Sequence, residues 1–247
     1  MLDKSVLFFS KKTEVCYQAA LFLKKRFRFV RHITGDWGDP FPFDDPIIAF
    51  GANTPHTVYT SHFDFIISFL CPWIFPKWLL DRAKVQAVNF HPAPPKYPGI
   101  GGYNYAIWNE DKEYGVMVHE MAEKVDTGKI LNVWLFAMNE NDTVESLKER
   151  SMVHLYELFK SCVVQIEEYD KIVDFGAWEW TCEPKTRADF QRAIEIHFGH
   201  HVPSISTLEY FKHKIKAFYY HGARDLPYID LEELGKYKLV KMEEGKS

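Results

Sequence analysis

The sequence predicts an α/β fold: a Rossmann-like, mostly parallel sheet followed by a small C-terminal appendage that contains a β-hairpin. Two observations carry this. Short, largely apolar runs (SVLFF at 5–9, FIISFL at 65–70, VQAVNF at 85–90) have the length and continuity of strands buried on both faces. Segments with helical spacing alternate with them, as in doubly wound sheets. At 247 residues the chain fits one large domain plus an appendage, and 47% hydrophobic content supplies a core.

In order, residues 5–9 form the first strand. Residues 13–25 form a helix, with Val15, Ala19, Phe22 and Leu23 on one face. Residues 27–33 form a second strand, and 46–50 stay ambiguous behind the loop GDWGDPFPFDDP. Residues 65–70 are a buried strand, after which Pro76 opens a short helix through Leu80 as an N1 proline. The strand at 85–90 precedes a helix at 102–109, a strand at 114–121 and its antiparallel partner at 130–137. Thr143 caps a long helix reaching Tyr169, whose stripe Val144, Leu147, Leu155, Leu158, Cys162, Ile166 is buried. Residues 1–180 make the main domain and 181–247 the appendage. In the appendage a helix starts at Thr186, and 215–220 pairs with 228–231 around His221-Gly222-Ala223-Arg224. This hairpin displays Phe218, Tyr219, Tyr220, Tyr228 and Ile229 in a segment too small to bury both faces, so a homodimer built on it is expected.

Composition excludes several classes. A net charge of -4 speaks against a nucleic-acid binder, and the cluster Lys11, Lys12, Lys24, Lys25, Arg26, Arg28 reads as a solvated helix face. Cys16, Cys71, Cys162 and Cys182 are scattered without CxxC pairing, which removes metal-knuckle and disulfide frameworks. A secretory leader and a membrane-length apolar run are both missing, so a cytoplasmic protein with no membrane partner is expected. No G-x-G-x-x-G follows a strand, which weakens a dehydrogenase reading.

The chemistry concentrates in two places. Asn89 and His91 end the strand at 85–90, two apart and therefore on one face, at the carboxyl end where ligands bind in open α/β sheets. The loop that follows, HPAPPKYPGIGG, is stiffened by Pro92, Pro94, Pro95 and Pro98. Asp126 sits in Val125-Asp126-Thr127-Gly128 and is the carboxylate that completes an acyl-transfer set. Taken singly, each residue has an ordinary structural role at a strand end or turn. Their recurrence in order favours function. His119 has Glu120 beside it, but adjacent strand residues face opposite sides, so a chelating pair is not expected.

NFHPAPPKYPG, EYGVMVHEMAEKVDTGKIL and DFIISFLCPWIFPKWLL together resemble the folate-dependent formyltransferases, whose motif is Asn-x-His, a Ser-Leu-Leu-Pro loop and Asp-Thr-Gly. Ala93-Pro94-Pro95 departs from that loop, which is one residue short, and this variant resembles the sugar-nucleotide branch. The resemblance implies N10-formyltetrahydrofolate as formyl donor, no metal, and a nucleotide-linked amino sugar as acceptor. The expected acceptor is dTDP-4-amino-4,6-dideoxyglucose, for a bacterial surface glycan. It implies Asn89 as oxyanion donor, His91 as acid–base group and Asp126 as its holder. Leu70, Cys71, Pro72, Trp73, Phe75 and Val125 are implied for folate. Ser10, Lys11, Lys12 and Lys77 are candidates for the nucleotide phosphates, and Tyr103 and Tyr105 for the hexose. Alternatives are a GDP-perosamine or 3-amino-sugar formyltransferase, a formyltetrahydrofolate hydrolase, and a non-catalytic nucleotide-binding module. Glycinamide ribonucleotide formylation lacks its Gly-rich loop in FFSKKTE, and methionyl-tRNA formylation lacks a basic C-terminal domain.

Overall fold

A computed structural model of the chain describes residues 1–38, 58, 60–176, 178–198, 217, 228–231 and 235–238. The elements are β1 (Leu2–Lys12), α1 (Glu14–Lys24), β2 (Phe27–Gly38), β3 (Phe63–Phe69), α2 (Lys77–Leu80), β4 (Ala83–His91) and α3 (Gly102–Trp108). There follow β5 (Glu113–Glu120), β6 (Ile130–Ala137), α4 (Val144–Tyr169), α5 (Arg187–Phe198), β7 (Tyr228–Leu231) and β8 (Gly235–Lys238). The ambiguous stretch 46–50 lies outside the described residues.

The chain divides into two compact units, the first comprising 1–98, 115–136 and 150–184. It holds a six-stranded sheet in the order β2-β1-β3-β4-β5-β6. The first four strands are parallel, and β5 runs antiparallel to β4. Glu120 N–H donates to the Lys129 carbonyl and Met138 N–H to that of Lys112, so β6 runs antiparallel to β5 as expected. The sheet is thus mixed, and mostly parallel.

The apolar runs are apolar because both faces are covered. Val6, Phe8, Phe65, Ile67, Phe69, Val88 and Phe90 point into a core with α1 (Cys16, Ala19, Ala20, Leu23) and α4 (Leu155, Leu158, Phe159, Cys162, Val163, Ile166). Their neighbours Leu7, Phe9 and Ile66 point to the opposite face, against Ile33, Val58, Phe75 and Leu79. A central strand sandwiched this way has no polar side, so period-two alternation disappears.

Thr143 caps α4 as its sequence predicts. Its hydroxyl accepts from Ser146 N–H at 3.2 Å, and Ser146 Oγ accepts from Thr143 N–H at 3.0 Å. Pro76 departs from expectation: with ψ at 152° it is the extended N-cap of α2, not N1. Its carbonyl accepts the first helical bonds, from Leu79 and Leu80.

The second unit comprises 99–114, 137–149 and 185–247. Thr186 and Asp189 cap α5 reciprocally, with Asp189 accepting from Thr186 N–H and donating its own N–H to the Thr186 hydroxyl. The expected strand 215–220 lies outside the described residues except for Ala217, which is buried and whose carbonyl accepts from the Asn104 amide. Tyr228–Leu231 pairs antiparallel with Gly235–Lys238.

Candidate active site

β4 ends where the parallel half of the sheet meets the antiparallel half. Its last residues pair with β5 in the register Asn89↔His119 and His91↔Met117. Residues directly opposite in an antiparallel pair share a face. The register therefore sets His119 against Asn89, with the Asn89 amide nitrogen 3.1 Å from His119 Nε2. His91, two residues on, shares that face, and the two imidazole centroids are 6.2 Å apart.

Asp126 completes the group. Its backbone is left-handed, φ 48°, a conformation Asp tolerates better than most side chains, in a turn closed by Thr127 Oγ1 donating to the Lys124 carbonyl. One carboxylate oxygen lies 3.5 Å from His91 Nδ1 and the other 3.3 Å from His119 Nε2. All three side chains are buried. Both imidazoles thus lie against a single carboxylate. The turn lies so close to β5 that a Cβ on Gly128 would fall 2.7 Å from the Glu120 carbonyl carbon, so this position has room only for glycine.

Residues 180–182 strap the site. Trp180 Nε1–H donates to the Gly128 carbonyl at 2.7 Å, Thr181 N–H to Pro95, and the Cys182 thiol to the Lys96 carbonyl. The Trp180 ring stands edge-on to His119, at 5.0 Å and 80°, and packs with Met117, Ile130 and Val133. Ala93, Pro94, Pro95, Tyr97 and Pro98 are buried, so the proline loop is a packed wall.

Burial pushes the His91 pKa down, outweighing Asp126, which raises it; His119 adds to the lowering and the Tyr97 carbonyl opposes it. Nδ1 faces Asp126 and Nε2 faces the Tyr97 carbonyl at 3.2 Å, so each ring nitrogen meets an acceptor. The charged ring has an acceptor for both of its hydrogens. The ring is neutral at rest and well served when charged, which suits a general base.

Residues 50–161, which include this whole cluster except its strap, match the family model described as formyl transferase. Over 113 residues, 45% of its length, the chain is 37% identical to the trifunctional purine biosynthetic protein adenosine-3 of Chironomus tentans. It spans 8%, 20% and 35% of the length of three curated relatives it matches. A sugar N-formyltransferase from a Shewanella species superposes with a TM-score of 0.70 over 98% of this chain and 99% of that one, at 16% identity. The N-formyltransferase of Helicobacter canadensis, solved with folinic acid and dTDP-3-aminofucose, gives 0.66 over 89% and 81%, at 21% identity. At these identities the likeness is one of fold.

The other sequence candidates fall into distinct environments. Leu70 leaves β3 with a left-handed backbone, φ 56°, and turns the chain into Cys71-Pro72-Trp73. Burial pushes the Cys71 thiol up to about 12. Phe75 is buried, its ring 4.9 Å from Phe9 and 5.2 Å from Trp73, while Trp73 is half-buried and Val125 exposed. Ser10 is fully buried, its hydroxyl 2.8 Å from His32 Nε2, and Lys11 and Lys12 beside it are half-buried. Lys77 is held by Asp81 on its own helix, at 2.6 Å. In the second unit, Tyr103 packs on Tyr114 and Tyr105 on Phe190.

Sequence reasoning missed His119 and Trp180. His119 was considered only as a chelating partner for Glu120, and the signal that finds it is the β4–β5 register. Trp180 sits where the composition changes, and its role depends on a chain path that no local pattern encodes.

Proposed function

We propose that this chain moves a formyl group from N10-formyltetrahydrofolate to the amino group of a nucleotide-linked amino-dideoxy sugar. The observation that carries the proposal is the buried Asp126 carboxylate against which His91 and His119 lie, beside the Asn89 amide. The acceptor amine attacks the formyl carbon, the carbonyl oxygen takes the negative charge, and the carbon–N10 bond then breaks to release tetrahydrofolate. Asn89 donates an N–H to the developing oxyanion, a contribution of roughly 3 kcal/mol where one such donor is removed. His91 receives the amine proton, Asp126 steadies the imidazolium through Nδ1, and the proton passes to N10 as the carbon–N10 bond breaks. Folate occupies the turn at Leu70, Cys71, Pro72 and Trp73, with Phe75 and Val125 flanking it; Ser10, Lys11, Lys12 and Lys77 serve the phosphates and Tyr103 and Tyr105 the hexose.

We take the acceptor to be dTDP-4-amino-4,6-dideoxyglucose, destined for a bacterial surface glycan, in a cytoplasmic homodimer. Support for a dTDP-amino sugar comes from the ligand of the Helicobacter canadensis enzyme. The test is incubation of the protein and formyl donor with thymidine-, guanosine- and uridine-diphosphate-linked 3-amino and 4-amino sugars. Mass spectrometry then looks for one added formyl group. Formate release without any formylated sugar would convert the reading to a hydrolase, and binding without turnover would convert it to a nucleotide-binding module.

A further inference from the structure

His119 carries more of this site than burial requires. Its Nδ1 lies 2.8 Å from the carbonyl of Glu120, an acceptor only, so Nδ1 carries the hydrogen. In the neutral ring Nε2 is then a bare acceptor, and its shorter contact is the Asn89 amide nitrogen at 3.1 Å. The longer contact, 3.3 Å to Asp126, is with an acceptor and supplies no hydrogen while the carboxylate is ionised. An Asn amide nitrogen has two hydrogens. Once one is committed to Nε2, the planar amide fixes the direction of the other.

We propose that His119 is a positioning residue that aims the second Asn89 N–H at the oxyanion. Trp180 holds the His119 ring edge-on. This rests on the formyl-transfer reading of the same site. Without His119 the Asn89 amide is free to rotate about its last torsion and to present its oxygen instead, an acceptor that repels an oxyanion. An oxyanion donor acts only where it is already in place before charge develops, so misdirecting it costs kcat and not substrate affinity.

The test uses the full-length protein with His119→Phe, which keeps a ring and removes the acceptor. His119→Gln returns an amide oxygen near the position of Nε2. The expected kcat for His119→Phe is lower by about 10- to 100-fold, with both KM values within about twofold, and His119→Gln recovers most of the loss. The double variant Asn89→Ala with His119→Phe is no slower than Asn89→Ala, because the second change has nothing left to aim. Long-range proton–nitrogen NMR of the wild-type protein should find His119 protonated at Nδ1 and bare at Nε2. An unchanged kcat in His119→Phe, losses that multiply in the double variant, or a protonated Nε2 each overturns the proposal. The NMR measurement stands even where His119→Phe does not fold. If Asn89→Ala alone leaves kcat intact, it is the formyl-transfer role of Asn89 that fails; a severe Asn89→Ala with a neutral His119→Phe defeats this inference alone.

Discussion

Gly128→Ala should damage catalysis through a residue that touches no reactant. A Cβ at this position would sit 2.7 Å from the Glu120 carbonyl carbon and closer still to its oxygen, both backbone atoms of β5. Non-bonded carbons rest at roughly 3.5–4.0 Å, so the turn has to retreat by about 1 Å. Asp126 is two residues away in the same tight turn, and its contacts of 3.3 and 3.5 Å to the two imidazoles are already at the long end. A retreat of that size breaks at least one. The stability cost of such overpacking is about 1–3 kcal/mol, visible as a lower midpoint in urea. The catalytic cost is larger, on the order of 100-fold in kcat, the usual consequence of a 1 Å displacement in a reacting group's support. Formyl transfer measured at saturating donor, beside a urea melt, separates the two effects. Wild-type kcat in a folded Gly128→Ala protein would show that the carboxylate does not need its position, and the acid–base assignment would fall with it.

His91→Asn and Asp126→Asn should each lower turnover by about 10²–10⁴-fold while circular dichroism stays native; near-wild-type kcat in either refutes the carboxylate–imidazole mechanism. Asn89→Ala should reduce kcat and leave KM nearly unchanged, and a raised KM with intact kcat would make Asn89 a substrate-holding residue instead. Because burial lowers the His91 pKa, kcat/KM should hold through the ordinary imidazole range near pH 6.5 and fall only at more acid pH. Asp126→Asn removes the charge that raises this pKa, so its acid limb should move further down; a shift upward contradicts the assignment. The same lowering makes His91 a source of acid lability: the unfolded chain binds its proton first, so this stability is complete above pH ~6.5 and is lost as pH falls towards the folded value. Sedimentation at micromolar concentration should give a dimer for the full chain and a monomer after truncation at Trp180; a monomeric full chain refutes the pairing.

Much of the fold was legible because burial writes itself into composition. The central stretches of β1 and β3 are apolar since both faces meet a core, and α4 shows its stripe since only one face does. Boundaries were less legible where two geometries suit one residue. Pro76 satisfies either N1 or N-cap, and only its ψ decides. In the appendage the strand at Tyr228–Leu231 was legible, while its pairing with Gly235–Lys238 carries only the weak apolar signal of a two-stranded hairpin.

The site shows the same division more sharply. Asn89 and His91 are two apart on one strand, so a period of two suffices to bring them together. Asp126 needs a tertiary contact, but its turn announces itself in Thr127-Gly128, where the structure demands the absence of a side chain. His119 has neither advantage. A shift of one residue in the β4–β5 pairing would send it to the opposite face, and the sequence of β5, EYGVMVHE, is apolar on both sides and leaves the register open. Beside that pairing, residues 180–182 tie the proline loop to the Asp126 turn through Pro95, Lys96 and Gly128. The residues that make the chemistry precise are therefore the ones least visible in the chain, because their positions are consequences of how three separate segments close on one another.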